Sequence, residues 1–232
     1  LLIENVFESD NQQINLEVSM ARDGWMFIIP LCCIAIICLL LDQWMPSIIW
    51  SVLAGGFGVL ILCIGIFFRD PSRTIPEGED LILSGGDGKV VAIKELDYEP
   101  FIDGPAIQIS VFLSVLNVHI NRIPCTGVIK HRQLLKGKYE LAYKDEASNA
   151  NEQLALGIEN DRGRVVIKQI VGFIARRIVC YVQEGDQVHT GEKYGLIRFG
   201  SRIDIIVPPQ TTVHTKIGDH VKGGETILGV LR

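Results

Sequence analysis

One dipeptide, one histidine, one aspartate and a few arginines are the residues of this chain that could do chemistry together. Gly200-Ser201 sits in Arg198-Phe199-Gly200-Ser201-Arg202-Ile203-Asp204, between two apolar alternating runs, Tyr194 to Phe199 and Ile203 to Val207. Taken alone it is a strand interruption, because glycine admits strained backbone angles and serine is a weak turn former. The serine hydroxyl is also a nucleophile, though a weak one until a neighbouring base removes its proton. Of the histidines, His119 alternates with apolar residues in Asn117-Val118-His119-Ile120-Asn121, whereas His131, His189, His214 and His220 stand in polar or turn contexts and read as solvated. On residue pattern alone His119 is a satisfied core histidine, and Asp87, in Ser84-Gly85-Gly86-Asp87-Gly88, is an Asp-Gly hairpin turn. Arg122, Arg176, Arg177 and Arg202 are possible clamps for phosphate or carboxylate, since guanidinium pairs oxyanions in a bidentate fork.

The elements that must position these groups are mostly strands. From Leu81 onward, short apolar runs (Ile82-Leu83, Val90 to Ile93, Ala106 to Phe112, Val128-Ile129, Val165 to Ile170, Arg177 to Val182, Leu196 to Phe199, Ile203 to Val207, Ile227 to Val230) are spaced by Gly, Asp and Asn turns, which predicts a mainly β domain. It contains a repeat: Gly185-Asp186-Gln187-Val188-His189-Thr190-Gly191-Glu192 recurs as Gly218-Asp219-His220-Val221-Lys222-Gly223-Gly224-Glu225. Such GDxVxxGE hairpins resemble those of biotinyl and lipoyl carrier domains, the barrel-sandwich hybrid fold. A membrane-anchored carrier or adaptor without catalysis is therefore the rival reading. Against it, Lys193 and Lys216, the lysines between Glu192 and Gly218, lie in no Met-Lys-like turn, and Gly200-Ser201 occupies the middle of that interval.

Ahead of the β domain lie two apolar runs, Trp25 to Leu41, interrupted by Pro30, and Ser47 to Phe68, each near the roughly 17 to 25 helical residues that cross a hydrocarbon core. Only Asp42-Gln43-Trp44-Met45-Pro46 separates them, so they form a hairpin with both outer ends on one side; Arg22, Arg69 and Arg73 put that side in the cytoplasm. The alternatives are shallow insertion or a buried hairpin of a soluble fold. The expected organisation is an acidic extension over 1–20, a membrane hairpin over 21–69 and a β-rich catalytic domain over 70–232. Of the net charge of -5, -4 falls in the first twenty residues, where Glu4, Glu8, Asp10 and Glu17 have no basic counterpart, and Met20 is a candidate start. Nearly neutral overall, without a basic-aromatic stripe, the remainder argues against nucleic acid. Cys32, Cys33, Cys38 and Cys63 lie in apolar runs and Cys125 and Cys180 are isolated, so neither a disulfide framework nor a metal-ligand cluster is expected.

Several segments, in order and at their spacings, carry a family resemblance: Phe67-Phe68-Arg69-Asp70-Pro71 with Arg73-Thr74-Ile75-Pro76, Asp87-Gly88-Lys89-Val90, Asn117-Val118-His119-Ile120-Asn121-Arg122, Asn149 to Glu152, Ile174-Ala175-Arg176-Arg177-Ile178-Val179-Cys180 and Gly195-Leu196-Ile197-Arg198-Phe199-Gly200-Ser201-Arg202. From Trp25 to Leu231 the chain resembles the short bacterial form of the phosphatidylserine decarboxylases, self-processing pyruvoyl enzymes. The resemblance implies that Ser201 attacks the Gly200 carbonyl, that the chain is cut into a β chain 1–200 and an α chain 201–232 held together as a heterodimer, and that residue 201 becomes the pyruvoyl cofactor. It implies decarboxylation of phosphatidylserine to phosphatidylethanolamine through a Schiff base at a bacterial inner membrane, with archaetidylserine an alternative substrate and homo-oligomers possible.

It further implies that His119 is the base and that Asp87 orients it. Two departures stand out. Gly85-Gly86 replaces a proline and a small residue, which leaves the Asp87 loop freer. Long forms have a second histidine three residues after the first, where this chain has Arg122.

Overall fold

The computed structural model describes residues 18–137, 151–172, 177–197 and 201–232. A short strand β1 (Val18–Met20) leads into helices α1 (Arg22–Trp44) and α2 (Ile48–Phe67), and β2 (Arg69–Pro71) returns antiparallel to β1 with Met20 opposite Arg69. The first helix is longer than its apolar run because Arg22, Asp23 and Asp42 to Trp44 continue it. Its 23 residues rise about 34 Å at 1.5 Å each, close to the roughly 30 Å of a hydrocarbon core. Asp42 closes the turn, accepting from the Ser47 N–H (3.2 Å) and the Ser51 hydroxyl (3.0 Å). Both helices are long and apolar enough to cross a membrane, and they leave large side chains such as Leu40, Ile48 and Leu62 exposed. A helix apolar all round has no use for water on any face.

The rest is β3 (Leu81–Leu83), β4 (Gly88–Glu99), β5 (Gly104–Leu113), β6 (Ile120–Arg122), β7 (Gly127–Leu135), β8 (Gln153–Asn160), β9 (Gly163–Val171), β10 (Ile178–Cys180), β11 (Gln187–Val188), β12 (Lys193–Ile197), β13 (Ser201–Val207), β14 (Thr212–Val213), β15 (His220–Val221) and β16 (Ile227–Val230). An eight-stranded sheet runs β11-β7-β8-β9-β13-β5-β4-β15; β10-β12-β6 and β14-β16-β3 form two smaller ones. Mainly β with an apolar helical pair is thus the architecture. Among the strands that the apolar runs did not announce are β8, mostly buried on both faces, and β6, three residues of which two are polar.

The repeat has a structural meaning. Its two copies supply β11 and β15, the opposite edges of the large sheet. Gly185 and Gly218 take φ of 97° and 102°, Gly191 and Gly224 take 79° and 78°, values that suit glycine because a side chain would be strained there. Equivalent bonds follow: Gly185 N–H to Ile129 O and Gly218 N–H to Val90 O, each 2.8 Å.

At the centre lies β13, buried along its whole length, paired antiparallel to β5 from Ser201 opposite Leu113 to Val207 opposite Ile107, and on its other side to β9 from Ser201 opposite Val171. Ile203, Ile205 and Val207 face the main core with Ile109, Val111 and Ile167. Arg202 and Asp204 face the other way and pair side-on, Nε to Oδ1 at 2.7 Å and Nη2 to Oδ2 at 2.9 Å.

Candidate active site

Ser201 opens β13, on the face of Ile203 and Ile205 and in one row with Leu113 and Val171. It is fully buried, and its hydroxyl has no hydrogen-bond partner among the described residues. An unbonded hydroxyl in an apolar row is costly, and native folds rarely tolerate one without a reason. Gly200, the other half of the expected cleavage site, lies outside the described residues, as do Arg176 and the acidic residues 1–17.

His119 is brought to the same end of the sheet by two crossovers. The chain leaves β5 at Leu113 and enters β6 at Ile120; it leaves β12 at Ile197 and re-enters the large sheet at Ser201. Since Leu113 pairs with Ser201 and Ile120 with Leu196, His119 and Ser201 stand at adjacent junctions of the same two sheets. The imidazole is 2% exposed and lies 4.2 Å, ring to ring, from Phe67 at the end of α2. Its Nδ1 is 2.9 Å from the Asn117 carbonyl, which can only accept, so Nδ1 carries the proton and Nε2 is the ring's acceptor. Burial lowers its pKa to about 4, with a further push down from Arg69, against the upward pull of the Asn117 bond. At neutral pH His119 is uncharged and able to take a proton.

Asp87 stands elsewhere than expected. Both its oxygens accept from Arg73 Nη2 (2.9 and 2.8 Å), and Oδ1 also accepts from the Gly223 N–H at 2.8 Å. The bond to His119 is not made; the Asn117 carbonyl orients the ring instead. The reason is the linker after β2, which drops a buried guanidinium beside this carboxylate, and a buried charge takes the nearest opposite one. Nor is the loop slack. Ser84 Oγ donates to the Gly86 carbonyl (2.7 Å), the Gly85 carbonyl accepts from the Arg122 N–H (2.8 Å), and a Cβ on Gly86 would come within 2.7 Å of Ile203 Cδ1. The paired glycines are what allows this loop to lie against the start of β13.

The arginines are also corrected in part. Arg202 is locked to Asp204 in the core, so its guanidinium does not face a head group. Arg122 is buried and donates to the Gly191 carbonyl (2.9 Å) and, at 3.4 Å each, to Asp70 and the Pro71 carbonyl; it fastens β6 to the linker and to the first repeat hairpin. Lys193 adds a second cation on Asp70. Arg177 is exposed just before β10. Cys125 is no rival nucleophile: burial pushes its thiol up to about 12.

Residues given no role in the sequence reading complete the surroundings. Asn151, buried, donates to the carbonyl of Val171, the residue opposite Ser201 (2.8 Å). Asn121, two residues after His119, is bonded to Gln169, which stands opposite Ile203. Buried amides inside an apolar sheet face were the available signal, but nothing in their spacing pairs them.

A family model, phosphatidylserine decarboxylase, matches residues 60–229. The chain belongs to the phosphatidylserine decarboxylase family. It is 41% identical over 218 residues to the phosphatidylserine decarboxylase proenzyme of Geobacter metallireducens, covering 94% of this chain and 99% of that one. The proenzymes of Ehrlichia chaffeensis (43% over 197 residues, 82% and 87%) and Symbiobacterium thermophilum (39% over 213 residues, 91% and 95%) are similar to it as well. In this member of the phosphatidylserine decarboxylase family, a buried serine whose hydroxyl has no partner among the described residues and a neutral histidine stand at adjacent junctions of the same two sheets.

Proposed function

We propose that this protein decarboxylates phosphatidylserine to phosphatidylethanolamine, and that Ser201 is the precursor of its pyruvoyl group, with Gly200-Ser201 the bond that is cut. The observation carrying this reading is the Ser201 hydroxyl, fully buried and without a partner among the described residues, at the first position of the central strand. His119 Nε2 takes the hydroxyl proton; the oxygen adds to the Gly200 carbonyl and the amide becomes an ester. Removal of the residue 201 α-proton expels the ester oxygen, which leaves with residue 200 as a carboxylate, and water then releases ammonia to leave the ketone.

The ketone supplies an electron sink that no protein side chain offers, for the loss of carbon dioxide from an amino acid head group. This chain's residues hold and protonate. His119 Nε2, once charged, returns a proton to the substrate carbon, and its low pKa makes it a strong donor. The Phe67 ring and the apolar row around Ser201 keep water from the carboxylate. Asp87, through Arg73 and Gly223, is a positioning residue for the loop above β13.

The helical pair anchors the enzyme in a bacterial inner membrane with the β domain on the cytoplasmic side, where Arg22, Arg69 and Arg73 flank it. The two repeat hairpins on opposite sheet edges support a relation to the barrel-sandwich hybrid. Archaetidylserine shares the amino acid head group and remains an alternative substrate.

Intact mass of purified protein tests the reading: two chains, 1–200 and 201–232, the second with a blocked N-terminus. Ser201→Ala should give one uncut chain without activity. Wild type that stays whole under all conditions would return the carrier reading.

A further inference from the structure

Ser114, Val115, Leu116 and Asn117 form a closed turn. The Asn117 N–H donates to the Ser114 carbonyl (2.9 Å), and Asn117 Oδ1 accepts from the Ser114 N–H (2.9 Å) and the Ser114 hydroxyl (2.6 Å). Tips of such turns usually hold Gly, Asn, Asp, Ser or Pro. This one presents Val115 and Leu116, 47% and 78% exposed.

Arg69 fixes the tip to the helical pair. Its Nη1 donates to the Ile66 carbonyl in the last turn of α2 and its Nη2 to the Leu116 carbonyl, both at 2.7 Å. Two residues past the turn, the His119 ring lies tilted against Phe67, 4.2 Å between centroids. An apolar tip held rigid at the point where an apolar helix ends is continuous with the surface that the helix enters.

We propose that the Val115-Leu116 turn is a second membrane contact, dipping into the boundary of head groups and acyl chains in the leaflet next to the β domain. The proposal rests on the reading of α1 and α2 as membrane-embedded. Turn and helix end then bracket the patch of leaflet from which a head group reaches His119, so the lipid need not leave the membrane to react.

The test uses the full chain carrying both Val115→Asp and Leu116→Asp, assayed on long-chain phosphatidylserine in vesicles and on a short-chain phosphatidylserine dispersed below its micelle threshold. Expected is a fall of about tenfold or more in kcat/KM on vesicles, from the lost apolar burial, with unchanged self-cleavage and unchanged activity on the dispersed lipid. Equal loss on both substrates, or none on vesicles, overturns the proposal; the second is also the result if the tip serves a protein partner. Leu116→Trp in a background with Trp25, Trp44 and Trp50 replaced by Phe gives a second readout, quenching by lipids brominated high on the acyl chain. An unquenched indole in protein that resists carbonate extraction overturns the turn alone, whereas protein released by carbonate overturns the membrane reading of the helices.

Discussion

Gln169 donates its side-chain N–H to Asn121 Oδ1 at 2.6 Å, joining β9, which flanks Ser201, to the strand that His119 leads into. Asn121 Nδ2 donates in turn to the His119 carbonyl (3.2 Å), which fixes the amide orientations and leaves Gln169 Oε1 buried without a partner among the described residues. The pair thereby ties the strand that follows His119 to the strand beside Ser201. Gln169→Leu and Asn121→Ala should each slow self-cleavage about tenfold, read from a gel time course, since an abandoned buried partner costs about 1–3 kcal/mol. The double variant should be scarcely slower than the worse single one. Additive slowing would mean the two residues act independently.

His119 makes folding depend on pH. Its ordinary pKa is 6.5 and its folded value about 4, so between these the unfolded chain binds more protons and stability falls as pH falls. Complete over that window, the loss is on the order of 3 kcal/mol. Urea midpoints of Ser201→Ala protein at pH 7 and pH 4.5 should show it, and adding His119→Phe should flatten the slope. An unchanged slope would exclude His119 as its source.

Asp204→Ala should destabilise the protein by about 3–5 kcal/mol, because it breaks a buried ion pair with Arg202 by removing one partner. Replacing both partners, Arg202→Met with Asp204→Leu, should recover most of that loss in chemical unfolding. A substrate-clamping Arg202 would instead show up as a raised KM with stability intact.

Gly223→Ala should lower stability by about 1–3 kcal/mol and slow processing, since its Cβ would lie 2.9 Å from the Gly86 Cα, backbone that cannot turn aside. Gly104→Ala, with nothing within 4 Å of the added carbon, is the matched control. Thermal unfolding of both distinguishes close packing from a general loss of glycine.

The helical pair and the repeat were legible because each is a local pattern: unbroken apolarity and a matched octapeptide. What escaped was tertiary. Arg73 lies 14 residues before Asp87, and only the path of the linker shows that it reaches the carboxylate before His119 can. Asn121 and Gln169 are 48 residues apart. Arg202 looked available because its partner is two residues along the same strand, on the buried face, and alternation alone does not say which face of a two-sided sheet meets solvent. Gly85-Gly86 suggested looseness by composition, whereas close approach to Ile203 and Leu113 demands the missing side chains.

Because β13 is bonded on both sides, to β5 and to β9, the ketone-bearing end would be born inside a finished sheet. A diffusible coenzyme can be washed out and reloaded; a prosthetic group that is also the first residue of an interior strand has no such traffic. Any event that reduces or aminates that residue would retire the molecule for good, and only fresh synthesis would restore it. The enzyme's working life is then set by its own chemistry rather than by supply of a vitamin, and turnover number before inactivation becomes a property written into the placement of one strand.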